Sequence, residues 1–412
     1  MKIAVVGSGI SGLSAAYYLS KKHNVDLFER EDHFGGHSYT IDLPLHGKKV
    51  SIDIGFIVFN FQTYPNLINF FQENDIEIEK SNMSFSVSVD NTNFEYCGKG
   101  LGGIFSNKSN LFNIEFLKMF FDIIKFYKKS DQIYISKEKI TLGEYLKINK
   151  LSKTFIDYHI IPMVSAIWSM PPYEASKMPI GFFLKFFQNH GLFKLKNRPQ
   201  WYTVSNRSRT YVNKIISQIS GEHYKNYKVK KIKRKSSGID LYYGGDNEYF
   251  DYDKVVLATH ADEALNLIDN PTEDEKNILS NFNYKENVAY IHTDQRAMPN
   301  NKKAWSSWNS SIDNKDLEKN SITYWLNLLE NLKCDENIFL TLNPYFEIDE
   351  KKVLKKVKFT HPYYDQKALD AQPELNKLQN QKDLLFCGSY FGYGFHEDGI
   401  KSSLEMIKNF ND

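Results

Sequence analysis

The chain has 412 residues, 42% hydrophobic and 25% charged, with a formal net charge of +2. That length is too great for one small core and suits two intertwined domains, while the charge balance gives no general case for nucleic-acid binding. Aromatics reach 15%, with 30 Phe and 26 Tyr, which suits a large apolar pocket or a bias toward Phe, Tyr, Lys, Asn and Ile in the source genome.

Ile3 to Val6 is a short apolar run and reads as a buried parallel strand. GSGISG follows, then Leu13 to Leu19 with small residues at helical spacing, then Val25 to Phe28 as a second strand ending at Glu29. This is a βαβ opening. Leu111 to Lys128 reads as an amphipathic helix rich in Phe. Its Phe stripe suits either a core or a membrane surface. Phe182 to Phe187 is a second Phe-rich patch. The basic run Lys228 to Ser237 alternates as a strand with a solvated face does. Tyr252 to Thr259 and Asp383 to Cys387 read as buried strands, and Gly399 to Phe410 as the final helix.

These βα-like elements lie at the beginning, middle and end of the chain. They predict a mixed α/β protein with one discontinuous Rossmann-like nucleotide domain, 1–80, 205–265 and 375–412. Segments 81–204 and 266–374 form an inserted, helix-rich and mixed substrate domain. Cys97, Cys334 and Cys387 are far apart and form no CxxC pair, which points to a reducing compartment. The opening MKIAVVGSG predicts no signal peptide. No window approaches the ~20 apolar residues that span a bilayer. The expected location is the cytoplasm, with peripheral contact at the inner membrane face left open.

The glycines Gly7, Gly9 and Gly12 sit between a strand and a helix, as a dinucleotide site requires. The first permits a tight turn, the second lets the backbone approach a pyrophosphate, and the third lets helix and strand pack closely. Phosphates then lie at the helix N-terminus beside Ser11. Glu29 is placed to accept hydrogen bonds from ribose hydroxyls, and its charge disfavours a 2′-phosphate.

After Glu29 come Arg30 and then Gly35, Gly36, His37 and Ser38. A second glycine pair lets the chain fold back over the pyrophosphate. This ERxxxxGG pattern resembles the flavin-containing amine oxidoreductase superfamily, and the resemblance implies FAD, bound non-covalently. Many members carry Arg after the glycine pair, on the phosphates, where this chain has His37, a weaker anion partner. Asp53-Ile54-Gly55-Phe56-Ile57 resembles the segment whose backbone passes the flavin ring. Val229 matches the strand that reads the adenine edge. Ala258-Thr259 resembles a second nucleotide-associated segment. Gly388, Ser389, Gly399 and Ile400 match the C-terminal FAD motif, with the last helix pointing at the flavin pyrimidine. Glu397 and Asp398, just ahead of that helix, would cap it. Direct acid/base work by His396 or Glu397 stays open. No metal site is expected.

Longer stretches, among them DIGFIVFNFQTYPNL (53–67), FFQNHGLFKLKNRPQWYTV (186–204) and YIHTDQRAMP (290–299), resemble a narrower group. These are bacterial NAD/FAD-binding amine-oxidase-like proteins that occur with cyclopropane-fatty-acid synthase-like methyltransferases. Ser205-Asn206-Arg207-Ser208 departs from that group's Gly-Gly-Ser turn. The resemblance implies a lipid or fatty-acyl substrate and a methyltransferase partner. Its chemistry would be desaturation of an unsaturated or methyl-branched acyl group, with hydride passing to flavin N5. Double-bond isomerisation, amine oxidation and a non-catalytic flavoprotein are the alternatives. Phe395 weakens the amine reading, which calls for hydroxyl-bearing aromatic rings. Candidates for proton handling are His292, Asp294 and Glu397, with Tyr64 and His190 behind them.

Overall fold

The computed structural model describes residues 1–129, 140–194, 197–245 and 247–410. Positions 195 and 196 of the quoted 186–204 stretch, 130–139 of the expected substrate domain, 246 of the middle segment and 411–412 at the end lie outside them.

β1 (Lys2–Val6) leads through the glycine turn into α1 (Ile10–Leu19), and β2 (Asn24–Phe28) returns beside it. All but the first residue of each strand are buried, as continuous apolar runs in a covered parallel sheet should be. β3 (His223–Tyr224), β4 (Lys254–Leu257) and β5 (Leu384–Phe386) complete the sheet. Among the described residues it has five parallel strands in the order β3-β2-β1-β4-β5. One sheet is thus assembled from the beginning, middle and end of the chain.

A second sheet has seven strands, counted among the described residues. Its order is Val353–Tyr363, Asn283–His292, Phe339–Leu342, Asn320–Trp325, Trp308–Ile312, Phe85–Val89 and Glu95–Cys97. All neighbours are antiparallel except the pair Trp308–Ile312 and Phe85–Val89. The helix α2 (Pro65–Glu73) packs in the core of the first sheet, whereas α3 (Ile114–Lys129), α4 (Ile161–Trp168) and α5 (Ile180–Asn189) share a core with strands of the second, Phe85–Val89 among them. The Phe-rich stretches fall on α3 and α5 and bury Phe116, Phe126, Phe183, Phe186 and Phe187. The final helix α6 (His396–Lys408) crosses α1 closely. There a Cβ on Gly399 would lie 2.8 Å from Ile10 and Ser11, and Ser14 and Ser403 share a hydrogen bond of 2.6 Å.

Three boundaries differ from expectation for local reasons. α3 starts at Ile114 because the Asn113 side chain accepts from the backbone N–H groups of Glu115 and Phe116, at 3.0 and 3.2 Å. Such a cap fixes a helix start. The run 252–259 divides, since Tyr249–Tyr252 pairs with Ile239–Tyr242 in a separate antiparallel sheet before β4 begins. That sheet's outer strand, Lys231–Arg234, buries Ile232 and exposes Lys233, as the alternating basic run requires. The last helix begins at His396, so Glu397 and Asp398 lie inside its first turn rather than ahead of it. Among the described residues no helix is long and apolar enough to cross a membrane. Nor is any group of three His, Cys, Asp or Glu residues placed to hold a metal ion.

Candidate functional site

The carboxyl ends of β1, β4 and β5 open into a cavity of about 1260 Å³ that reaches the second sheet. Gly7 turns the chain at φ 100°, where a Cβ would meet the Ala258 carbonyl at 2.7 Å. A Cβ on Gly12 would lie 1.9 Å from the Gly7 carbonyl, so α1 packs directly on the turn. Gly9 behaves differently, since a Cβ there would meet nothing within 4 Å. It borders the cavity. α1 has no side-chain cap and no acidic residue in its first turn. Its unpaired N–H groups and positive dipole end therefore stand at the cavity beside Gly9, Ile10 and Ser11.

Glu29 is buried at the end of β2 and lines the same space. It accepts from Ser8 N at 3.1 Å, Ser8 Oγ at 2.5 Å and Glu31 N at 3.0 Å. A carboxylate has about four acceptor sites, so it keeps capacity for a hydroxyl. Ser8 Oγ in turn accepts from Gly35 N at 3.0 Å. A Cβ on Gly36, at φ 57°, would come within 3.0 Å of Gly9 Cα. The second glycine pair therefore folds back onto the first.

His37 follows in this cradle. Its Nε2 is buried with no hydrogen-bond partner among the described residues. Burial, then the neighbouring His260, lowers its pKa to about 4, so it is neutral near pH 7. Arg30 borders the cavity, but its guanidinium pairs with Glu263 and with Glu31 at 3.1 Å. Gly55, Phe56, Ile57, Val229, Ala258, Gly388 and Ser389 all line the cavity. Gly12, Gly35, Gly399 and Ile400 form its supporting wall instead.

Several candidate residues take other positions. Ser38 is turned inward, where its hydroxyl joins Tyr211 and His396 Nε2, the latter at 2.9 Å. Glu397 does not line the cavity. It accepts from Asn66 N at 3.1 Å, Asn66 Nδ2 at 2.6 Å and Leu67 N at 3.1 Å, and so caps the first turn of α2. Asp398 is half-buried, accepts from Phe395 N at 3.0 Å, and is raised to about 6 mainly by desolvation. His292 and Asp294 are not among the residues that line the cavity. His292 is fully buried between strands, with Nε2 2.7 Å from Thr341 Oγ1 and Nδ1 accepting from Asp294 N at 3.1 Å. Asp294 is held by Arg296, whose Nε is 3.0 Å away, and these hydrogen bonds keep its carboxyl below the usual range.

The deep end has a different character. Tyr64, Trp168, Phe186, His190 and Phe395 form one side, and Phe85, Trp308, Tyr324 and Leu340 of the second sheet form the other. Among the described residues, the carboxylates bordering the cavity are Glu29, Glu31, Asp32 and Glu263, all at the nucleotide end. His190 stacks on Phe186 at 3.9 Å, and its Nδ1 is 2.9 Å from the Phe186 carbonyl. Because a carbonyl only accepts, Nδ1 carries the proton and Nε2 is the free acceptor. Burial lowers this imidazole to about 4. Tyr64 is buried, and burial followed by Asp398 and Glu397 raises its hydroxyl pKa, so it stays protonated. Sequence reasoning missed Trp168, Trp308, Tyr324, His260 and His361, which also line the cavity. Phe186 was signalled only by the Phe-rich patch.

The chain carries a Rossmann-like segment at its start, and its overall fold is one shared with solved amine oxidases. Residues 5–73 match the family described as NAD(P)-binding Rossmann-like domain. Over 196 residues the chain is 28% identical to prenylcysteine oxidase 1 of Rattus norvegicus, a match covering 40% of this chain and 37% of that protein. The match thus spans well under half of the curated relative's length. Two solved structures share the fold along nearly all of both chains, each at 13% identity. A CLA-producing fatty acid isomerase from P. acnes has a TM-score of 0.69, with 100% of this chain and 98% of that chain covered. Cyclohexylamine oxidase from Brevibacterium oxydans has a TM-score of 0.67, with 99% of each covered. The residues at the nucleotide end fit FAD: open space at Gly9, an uncovered helix N-terminus, a buried carboxylate at the ribose position, and an unpartnered His37 nitrogen.

Proposed function

We propose that the protein is an FAD-dependent oxidoreductase that desaturates a fatty acyl chain. The observation that carries this reading is the deep end of the cavity, which is aromatic and aliphatic and is continuous with the nucleotide end. An ammonium group entering there would lose its hydration without a carboxylate to replace it, which counts against an amine substrate. Gly9 and the α1 N-terminus would hold the diphosphate, Glu29 the ribose, and the Val229 backbone the adenine edge. Among the described residues no hydrogen bond uses the Val229 amide or carbonyl. Gly55 to Ile57 and Gly388-Ser389 line the same cavity and would border the ring system.

Bound FAD supplies a two-electron acceptor. The chain's part is to exclude water, align the acyl chain and take the proton. One substrate carbon gives up a hydride, and its neighbour gives up a proton to His190 Nε2. Tyr64 stands beside His190, with ring centroids 6.4 Å apart. A lipid methyltransferase, which produces methyl-branched or cyclopropane acyl chains, is the partner this chemistry suits.

Double-bond isomerisation is the second reading. It needs the same apolar space, and the P. acnes fatty acid isomerase shares the fold over its whole length. The deciding experiment mixes FAD-loaded protein with unsaturated and methyl-branched acyl substrates without oxygen. Flavin bleaching with a product lighter by two hydrogens supports desaturation. Product of unchanged mass and altered retention supports isomerisation. Bleaching by amines alone, with ammonia released, overturns both.

A further inference from the structure

Leu111, Phe112, Ile114 and Phe121 are 48, 87, 69 and 65% exposed, and they cluster at the start of α3. Ile114, Lys118, Phe121, Lys125 and Lys128 recur at intervals of three or four, so they form one stripe along the helix. Leu111 and Phe112 extend it from the preceding turn. The opposite face, with Phe116, Met119, Phe126 and Tyr127, fills the core. The exposed stripe is therefore surplus to folding. Lys150 and Lys153 join Lys118 and Phe121 around a shallow depression on the same side.

The charge there is mixed but positive in balance. Glu115 pairs with Lys118 at 2.7 Å, Asp157 pairs with Lys153, and Asp122 accepts from Ser152 N at 2.8 Å. Lys108, Lys125, Lys128 and Lys150 remain beyond those partners.

We propose that this face docks on an anionic lipid bilayer. Leu111, Phe112, Ile114 and Phe121 enter the boundary between headgroups and acyl chains, and the lysines lie at headgroup level. Two features favour a bilayer over a protein partner. The apolar side chains are highly exposed and border at most a shallow, open depression, which suits a fluid partner that moulds itself around them. The lysines alternate with them along one stripe, and their long stems let the charges reach phosphates while apolar neighbours insert. Attachment is peripheral, since no described helix is long and apolar enough to cross. The inference does not depend on the chemistry proposed above, and its readout is binding, not turnover.

The test is flotation of the FAD-loaded protein with phosphatidylcholine vesicles, with and without phosphatidylglycerol. The protein is expected to float with the mixed vesicles, less with phosphatidylcholine alone, and less again at high salt. Phe112→Ser with Phe121→Ser should lower the partition constant by about a hundredfold or more, since burying each such side chain contributes roughly a decade or more. Unchanged FAD content and thermal midpoint would show that the variant is folded. The proposal fails if the wild type ignores mixed vesicles or if the variant floats as well as the wild type. It also fails if lipid-free sedimentation shows a wild-type dimer that the variant lacks, which would assign the face to a second copy of the chain.

Discussion

Gly9→Val separates cofactor binding from folding. Gly9 has φ −62° and ψ 178°, an extended conformation open to any L-residue. A Cβ there meets nothing within 4 Å. The folded chain without cofactor should therefore lose no more than about 0.5 kcal/mol. The valine methyls occupy the space that a diphosphate must enter to reach the α1 N–H groups. Affinity for FAD should fall at least ~100-fold, or about 2.7 kcal/mol. Wild-type protein with FAD at 100 times Kd gains about 2.7 kcal/mol of stability by linkage, and the variant should gain almost none. Gly12→Ala is the contrast, because its Cβ would lie 1.9 Å from the Gly7 carbonyl. It should destabilise the chain with or without FAD, by roughly 1–3 kcal/mol or more. Equilibrium dialysis gives the affinity, and urea unfolding with and without FAD gives the stabilities. Wild-type FAD affinity in Gly9→Val would refute the site. So would a stability loss without FAD equal to that of Gly12→Ala.

Glu397→Ala should cost about 1–2 kcal/mol through lost capping of α2 and leave kcat near wild type. A large loss of kcat at unchanged urea midpoint would return Glu397 to catalysis. Arg207→Ala should cost about 3–5 kcal/mol, because it strips the 3.0 Å partner from Glu330, which is fully buried and whose pKa burial already raises. Adding Glu330→Gln should recover part of that loss in the same unfolding assay. Seven histidines among the described residues, three buried (His159, His190 and His292) and four half-buried at the cavity (His37, His260, His361 and His396), are lowered to about 3 or 4, chiefly by desolvation. Their stabilisation is complete above the ordinary value near 6.5 and is lost as pH falls from there toward 4. Each contributes up to ~1.4 kcal/mol per pH unit in that window. Asp398 works in the opposite sense, its contribution fading as pH rises through about 6. The thermal midpoint should therefore drop steeply between pH 6.5 and 4.5, and a flat profile would show that these rings are not neutral inside.

The nucleotide end was legible in the sequence because its demands fall on the local backbone. Gly7, Gly12, Gly35 and Gly36 are positions where turn geometry or close approach excludes a side chain, whereas Gly9 leaves open space at the cavity, and a fixed spacing announces all five. Boundaries were less legible where one polar side chain decides them. Asn113 starts α3 three residues later than periodicity suggests, and α6 begins three residues early at His396. His292 shows a different limit. Alternation in YIHTD allows two faces, and only the pairing of its strand with Phe339–Leu342 puts the imidazole against Thr341, outside the cavity lining. Glu397 shows a third, since its partners are supplied by α2, far away in sequence. The deep end was least legible of all. Phe85, Trp308, Tyr324 and Leu340 come from four strands brought together by sheet pairing, and no local pattern marks any of them as cavity lining. The two ends of the cavity are therefore encoded differently. Backbone requirements fix the cofactor end, whereas side chains on separate strands shape the deep end and can change without disturbing the glycine turns. A fold of this kind can hold one dinucleotide chemistry constant while the shape of the deep end selects the substrate.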